Sequence, residues 1–456
     1  MPSPANFYTQ RAPNHLPVQM GNEKGFFERC KQACEAASAM QDPLIIHHYD
    51  CDGISSGSLV ASHFEQSGKK YRMKSVRKLD EAFIKSLAQE KELIFVDLGS
   101  SSPFLDELAQ EVVVIDHHQP LLKPHLQANP HLFGFDGGSE LSASGCAYFV
   151  FRTSVDLGVV GAVGDVQSPL CSLNRAMLSE GVSHGKLASF VDLLLFGKQS
   201  RPLCQLLEYA DEPFLPGLTG HADECRAFLS GLGIEEKSGG RWRTYSDLPH
   251  EEKRTLVSGL AEHLASRGYL EAAERLTGEV YSILCRPQGT ELAEASEFST
   301  ILNACGRNSQ PELGVGVCLS RQGAYEKAQA LLLEHRRNLR AGIQFAQRNT
   351  QDFGKFLLLD ARGAIADSII GVVAGMLYTG RRTKPILALS LEESGMMKIS
   401  TRGTRKLVES GLNLGKILSE SSAAVGGVGG GHNIAAGATI PNGKLADFLK
   451  EFSARI

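Results

Sequence analysis

Apolar residues in the first ~195 positions fall into short runs of four to six, and helical-period segments separate them. The runs Leu44–Tyr49, Leu93–Leu98, Val112–Asp116 and Leu132–Phe135 are partly β-branched or aromatic, as strands buried on both faces are. Between them, Ser56–Gln66, Asp80–Gln89 and Pro103–Ala109 place apolar side chains on one helical face and charge on the other. This alternation predicts an α/β domain on a doubly wound parallel sheet. Ligands are expected beyond the carboxyl ends of its strands.

The pattern changes after Phe196. Up to about Glu279 the strand signals fade, and Leu/Ala periodicity with charged faces takes over, as in Glu251–Ser266 and Leu270–Leu276. LPGLTG (215–220) and EEKSGGRWR (235–243) read as turns between short helices. A long helix is expected over 321–349, ending in Arg336, Arg337, Arg340 and Arg348. From Lys355 a second α/β pattern starts: strand FLLLD (356–360), helix Asp367–Thr379, strands ILALS (386–390) and MKIST (397–401), then the glycine-dense GGVGGGHNIAAG (426–437). Four segments follow: an α/β domain over 1–195, a helical insertion over 196–290, a return and connector over 291–349, and a smaller α/β domain over 350–456. There is no internal repeat.

Composition narrows the classes. With 42% hydrophobic and 21% charged residues, the 456-residue chain reads as globular rather than disordered. No stretch reaches the ~20 apolar residues of a membrane span, and MPSPANFYTQ lacks the basic and apolar regions of a secretory signal. A cytoplasmic location with no membrane partner is expected. The ten cysteines contain no Cys-x-x-Cys pair; Cys30 and Cys34 share a helical face but have no partner pair, so buried reduced thiols fit better than zinc. Charge is uneven. From His335 onward 17 Lys and Arg face 9 Asp and Glu, +8, so the preceding 334 residues carry −12 to give the total of −4. A basic C-terminal part either holds a phosphate backbone or docks on the acidic body.

Four acid-bearing sites stand at or near the ends of apolar segments. In HHYDCDG (47–53), His48, Asp50 and Asp52 are spaced by two, and Gly53 permits a turn into a helix. An Asx-rich cap is the plain alternative. VDLGS (96–100) carries Asp97 at a strand end, and VVVIDHHQP (112–120) puts Asp116, His117 and His118 directly after four β-branched residues. Uncompensated charges there would cost several kcal/mol. GAVGDVQ (161–167) supplies Asp165. Such a group of like charges needs cations between them, and mixed carboxylates and imidazoles suit Mn²⁺ first, then Mg²⁺. Two such ions can drive an in-line attack on phosphorus.

In order and spacing these four motifs resemble those of the DHH phosphoesterase superfamily. The resemblance implies two divalent ions: His48, Asp50 and Asp97 on one, and Asp52, Asp97, His117 and Asp165 on the other, with Asp97 bridging. It also implies His118 on the substrate phosphate and Asp116 orienting a histidine. Bacterial RecJ nucleases carry Asp where this chain has His48. GGGHNIAAG (429–437) resembles the signature of the DHH-associated C-terminal domain, with Gly429, Gly430 and Gly431 offering backbone N–H groups beside His432. ISTRGT (399–404) resembles its Ser-x-Arg strand, so Ser400 and Arg402 are candidate phosphate contacts.

The segments GKQSRPLCQLLEYADEPFLPGLTG (197–220) and EFSTILNACGR (297–307) resemble archaeal RecJ-like nucleases, including the GINS-associated type, which carry a helical insertion. Asn303 and Arg307 then either approach the substrate or cap a helical turn. The expectation is a two-metal exonuclease on single-stranded DNA or RNA, with GINS and replisome components as candidate partners. Two alternatives are a phosphodiesterase for nanoRNA or cyclic dinucleotides and a GINS-binding replisome scaffold.

Overall fold

The computed structural model describes residues 21–121, 125–210, 213–377, 383–392 and 394–456. The N-terminal segment MPSPANFYTQ lies outside these residues. The chain divides into two compact units, one of 1–48 and 55–180, the other of 49–54 and 181–456.

The first unit is built on five strands: β1 (Leu44–His48), β2 (Arg72–Val76), β3 (Glu92–Val96), β4 (Glu111–Ile115) and β5 (Leu126–Ala128). They run in the order β2-β1-β3-β4-β5, and every pair is parallel. Ile45, Ile46, Ile94, Phe95, Val113 and Val114 are all at most 1% exposed, so β1, β3 and β4 need apolar side chains on both faces. The expected strand at Leu132–Phe135 is not formed. Pro130–Phe133 is a single 3₁₀ turn, opened by Pro130 and capped by Asn129, whose side chain accepts the His131 N–H. The fifth strand lies earlier, at Leu126–Ala128. Likewise the expected helix Pro103–Ala109 shrinks to a 3₁₀ turn at Leu105–Glu107.

In the second unit an antiparallel pair, Leu187–Leu193 with Thr277–Ile283, brackets the helices Leu203–Glu208, Ala222–Gly231, His250–Ser266 and Leu270–Glu274. Leu203, Leu206, Leu229, Leu256, Leu260 and Leu264 form their shared core, each 0% exposed. EEKSGGRWR is a tight hairpin, with Gly239 and Gly240 at φ +58° and +81°. Helices Ala295–Arg307, Pro311–Cys318 and Ala324–Asn349 follow.

The last ~100 residues form a six-stranded sheet. Its spatial order is Gln351–Asp352, Leu357–Asp360, Ile386–Leu391, Met397–Arg402, Ala435–Ile440 and Val428–Gly431. Helix Asp367–Met376 joins one core with Leu359, Ile386 and Ala388, and Leu414, Leu418, Phe448 and Phe452 join another with Leu387, Leu389 and Ile399. Positions 378 and 379 of the expected helix lie outside the described residues. The glycine-dense segment is a strand hairpin at the sheet edge. A Cβ at Gly415 would stand 2.1 Å from the Gly431 carbonyl oxygen, so bare backbone lets the helix Leu414–Ala423 lie against that strand.

Candidate metal centre

Register delivers three motifs to one edge of the parallel sheet. His47 lies beside Val96, and Val96 beside Ile115. His48, Asp97 and Asp116 are therefore the next residues out on three adjacent strands. The Asp97 N–H still bonds the Ile115 carbonyl at 2.9 Å, but its φ of +60° turns the chain away from the ladder. Asp is one of the few residues that tolerate this region. Its carboxylate is 2% exposed, with Oδ2 3.3 Å from His48 Nδ1 and Oδ1 3.3 Å from His117 Nε2.

Three groups of donor atoms result, the atoms of each lying within 4.8 Å of one another: His48, Asp50 and Asp97; Asp52, His117 and Asp165; and Asp97, Asp116, His117 and His118. Asp97 Oδ1 is buried and accepts no hydrogen bond among the described residues. His117 Nδ1 lies 2.7 Å from the Gly137 carbonyl oxygen. A carbonyl only accepts, so Nδ1 carries the proton and Nε2 presents its lone pair toward Asp97. Two acceptors facing each other in a buried site fit a cation between them, and this donor mixture suits Mn²⁺ or Mg²⁺.

Asp116 does a different job. It is 0% exposed and accepts the N–H groups of Ser100 (2.9 Å), His117 (2.8 Å) and His118 (3.2 Å), together with His118 Nδ1 at 2.8 Å. Burial pushes its carboxyl up, but the His118 hydrogen bond, the adjacent imidazoles and the Ser100 N–H outweigh it and hold the group well below the usual range. His118 is raised in turn, first by that hydrogen bond and against its own burial. Its ring is half exposed.

Asp165 caps the helix Val155–Gly164, and Val166 follows at φ +61° with 86% exposure. A β-branched residue is poorly suited to the left-handed region. Val166→Gly should therefore raise stability by roughly 1 kcal/mol, net of glycine's added freedom when unfolded. Urea unfolding midpoints of the two proteins test this.

The loop between β1 and the helix Cys51–Gln66 carries Asp50, and Asp52 stands in that helix's first turn. Gly53 N–H donates to Asp50 Oδ1 at 3.1 Å, and Asn303 Oδ1 accepts the Cys51 N–H at 3.1 Å. A Cβ on Gly306 would stand 1.9 Å from the Tyr49 carbonyl oxygen, so the helix Ala295–Arg307 packs directly on this loop's backbone. Burial lowers Arg307, against the charge of Asp50 among others, and lowers Arg402, which also feels the Arg307 charge. Two half-buried guanidinium groups that repel each other favour an anion.

Ser400 stands beside Gly437, and Gly437 beside Gly430, so these three share one sheet face. A Cβ at Gly430 would meet nothing within 4 Å, and one at Gly437 only Ile399 O at 3.5 Å. The result is a bare backbone shelf beside Ser400, whose strand continues to Arg402. Gly429 and Gly431 have a different use: a Cβ on Gly429 would be 2.9 Å from Leu418 O, and on Gly431 2.8 Å from Ala435 O. His432 is exposed, its N–H bonded to Ala435 O at 2.8 Å.

Residues 43–158 match the DHH family, N-terminal domain; residues 195–276 match the DHH-CID domain; and residues 354–456 match the DHHA1 domain. The chain belongs to the DHH superfamily. An uncharacterized protein of Methanocaldococcus jannaschii is 27% identical over 452 residues, covering 93% of this chain and 97% of its own. Among solved structures, RecJ of Thermus thermophilus in complex with Mn²⁺ is similar at TM-score 0.58 and 16% identity. The match covers 96% of this chain and 55% of that RecJ. CDC45 from Entamoeba histolytica is similar at TM-score 0.60 and 13% identity, covering 94% of this chain and 98% of that protein. The DHH chain thus has a RecJ- and CDC45-like fold.

Several residues of the DHH centre escape a reading of the sequence. Gly137 has no local signal, because its role comes from a carbonyl 20 positions from His117. Asn129 Nδ2 donates to Ser100 Oγ and the His118 carbonyl, each at 2.9 Å, and joins the two loops. Gln167 lies within the fourth motif, where its amide has no obvious chemistry.

Proposed function

We propose that this DHH chain is a divalent-metal-dependent phosphodiesterase that acts as a RecJ-like exonuclease on single-stranded DNA or RNA. One observation carries the reading: three donor groups meet at the carboxyl edge of one parallel sheet, one linked to the second through Asp97 and to the third through His117. His48, Asp50 and Asp97 would hold one ion, and Asp52, Asp97, His117 and Asp165 the other. When bound, the ions, Mn²⁺ in preference to Mg²⁺, neutralise charge on the phosphoryl oxygens and activate water.

The protein's own groups do the rest. Asp116 fixes the His118 ring, and His118 donates to a phosphate oxygen. Ser400, Arg402 and the Gly430 backbone receive a flanking phosphate, with Arg307 adding charge; Gly429 and Gly431 shape that shelf and His432 borders it. We assign catalysis to 1–195, the insertion to 196–290, the return and connector to 291–349 and substrate binding to 350–456.

The likeness to CDC45 favours a second reading, a replisome scaffold that binds GINS. One experiment separates the readings. End-labelled single-stranded DNA and RNA 20-mers, and dinucleotides, are incubated with Mn²⁺ or Mg²⁺, and products are followed with time. The exonuclease reading expects stepwise shortening of a 20-mer that Asp165→Ala removes. No metal-dependent product, or full activity in Asp165→Ala, would overturn it, and cleavage confined to dinucleotides would restrict it to short substrates.

A further inference from the structure

We propose that Gln167 is a positioning residue that ties together two members of one donor group, Asp165 and His117; the inference rests on the metal-binding reading above. Gln167 is 4% exposed, and its Nε2 lies 2.8 Å from the Gly137 carbonyl oxygen and 2.8 Å from Asp165 Oδ2. Both partners accept only, so the amide must turn its two N–H bonds toward them. Its Oε1 then accepts from Asn174 Nδ2 at 2.6 Å, and Asn174 is 0% exposed. The Asn174 backbone N–H is bound in turn to the Glu140 carbonyl at 2.9 Å. The Asn174 amide is oriented by the Ser142 N–H, which donates to Asn174 Oδ1 at 3.5 Å.

The Gly137 carbonyl is the junction. It accepts from His117 Nδ1 with one lone pair and from Gln167 Nε2 with the other. No side chain is tolerated at Gly137, since a Cβ would be 1.8 Å from the His117 carbonyl oxygen. Val166 explains how Gln167 reaches this point. Its left-handed backbone reverses the chain just after Asp165, and the Gln167 N–H bonds the Ala162 carbonyl at 3.0 Å. Gln167 thus sets the direction of the Asp165 carboxylate and, through Gly137, the tautomer and tilt of His117. Outer partners of this kind are typically worth about 10–100-fold in metal affinity or activity.

Gln167→Met keeps the volume and removes both donors. Mn²⁺ binding is measured by the loss of the free-ion electron paramagnetic resonance signal, on protein whose circular dichroism shows it folded at that temperature. The expected result is a loss of about 10–100-fold in affinity for one of two ions, the same ion that Asp165→Asn removes. A purely structural role would lower the melting temperature and leave Mn²⁺ affinity unchanged, and that outcome would overturn the inference. Should Gln167→Met not fold, Asn174→Ala keeps both donors but frees the amide to rotate, and a several-fold loss is required of it. Wild-type protein that binds no Mn²⁺ would instead overturn the metal-binding reading itself, so the two failures are distinct.

Discussion

Asp97→Asn should abolish metal-dependent phosphodiester hydrolysis, by at least about 10³-fold, equivalent to roughly 4 kcal/mol of transition-state stabilisation. Asp97 belongs to two of the three donor groups, which no other carboxylate does. It faces an imidazole nitrogen on each side at 3.3 Å, and its buried Oδ1 has no hydrogen-bond donor among the described residues. Asparagine is the substitution that isolates the charge. It matches the volume and is among the few residues that accept the left-handed backbone of this position. Whatever is lost can then be traced to the carboxylate rather than to a collapsed loop. Two measurements check it: initial rates with Mn²⁺, and melting temperatures with and without the ion. A ligand that binds only the folded state raises its stability. Mn²⁺ should therefore raise the melting temperature of the wild type and not of the variant. Activity within tenfold of wild type would remove Asp97 from the proposed metal ligands.

Asp97 also marks what can be read from sequence. β1, β3 and β4 are legible because they are buried on both faces, and their ends are legible because charge follows without a gap. β2 is not. Its RMKSV sits at the sheet edge with no fully buried residue, so no apolar run announces it. The pair Leu187–Leu193 and Thr277–Ile283 is hidden for a related reason. Phe190 and Val191 are 48% and 67% exposed, and the pairing spans the whole insertion. Side chains with an ionisable group at a strand end could be nominated residue by residue. Those that act through an amide or a carbonyl, Gln167, Asn129 and Gly137, could not, because their partners are set by tertiary contact. The glycines of GGVGGGHNIAAG divide in the same way. Sequence treats them alike, whereas Gly430 faces open space and Gly429 and Gly431 are crowded by neighbouring backbone.

The same limit applies to Lys198, which sits within a polar stretch, GKQSR, and yet is 1% exposed. Its Nζ is 3.1 Å from Glu294 Oε2, off the axis of a directed hydrogen bond. Next to it the Gln199 N–H and the Ser200 hydroxyl each donate to Glu297 at 2.8 Å. Two buried glutamates, Glu294 and Glu297, thus anchor the start of the insertion; a third, Glu291, accepts from Tyr325 and Gln329, and Arg336 is a further cation beside Glu291 and Glu297. Lys198→Met leaves Glu294 buried without its ammonium, and breaking a buried pair from one side costs about 3–5 kcal/mol. Lys198→Met with Glu294→Leu should recover most of that loss, because no uncompensated charge remains. Stability also depends on pH here. Burial, and then the charge of Glu294, push Glu297 up to about 7 against its hydrogen bonds. The folded state therefore keeps a proton that the unfolded chain releases near its ordinary value of 4.5. This contribution is fully present below pH ~4.5 and is lost as pH rises through ~7. Glu297→Gln should flatten that slope. Urea unfolding of the four proteins at pH 5.5 and 8 measures both effects, and a single variant as stable as the double would show that the Lys198–Glu294 pair contributes nothing.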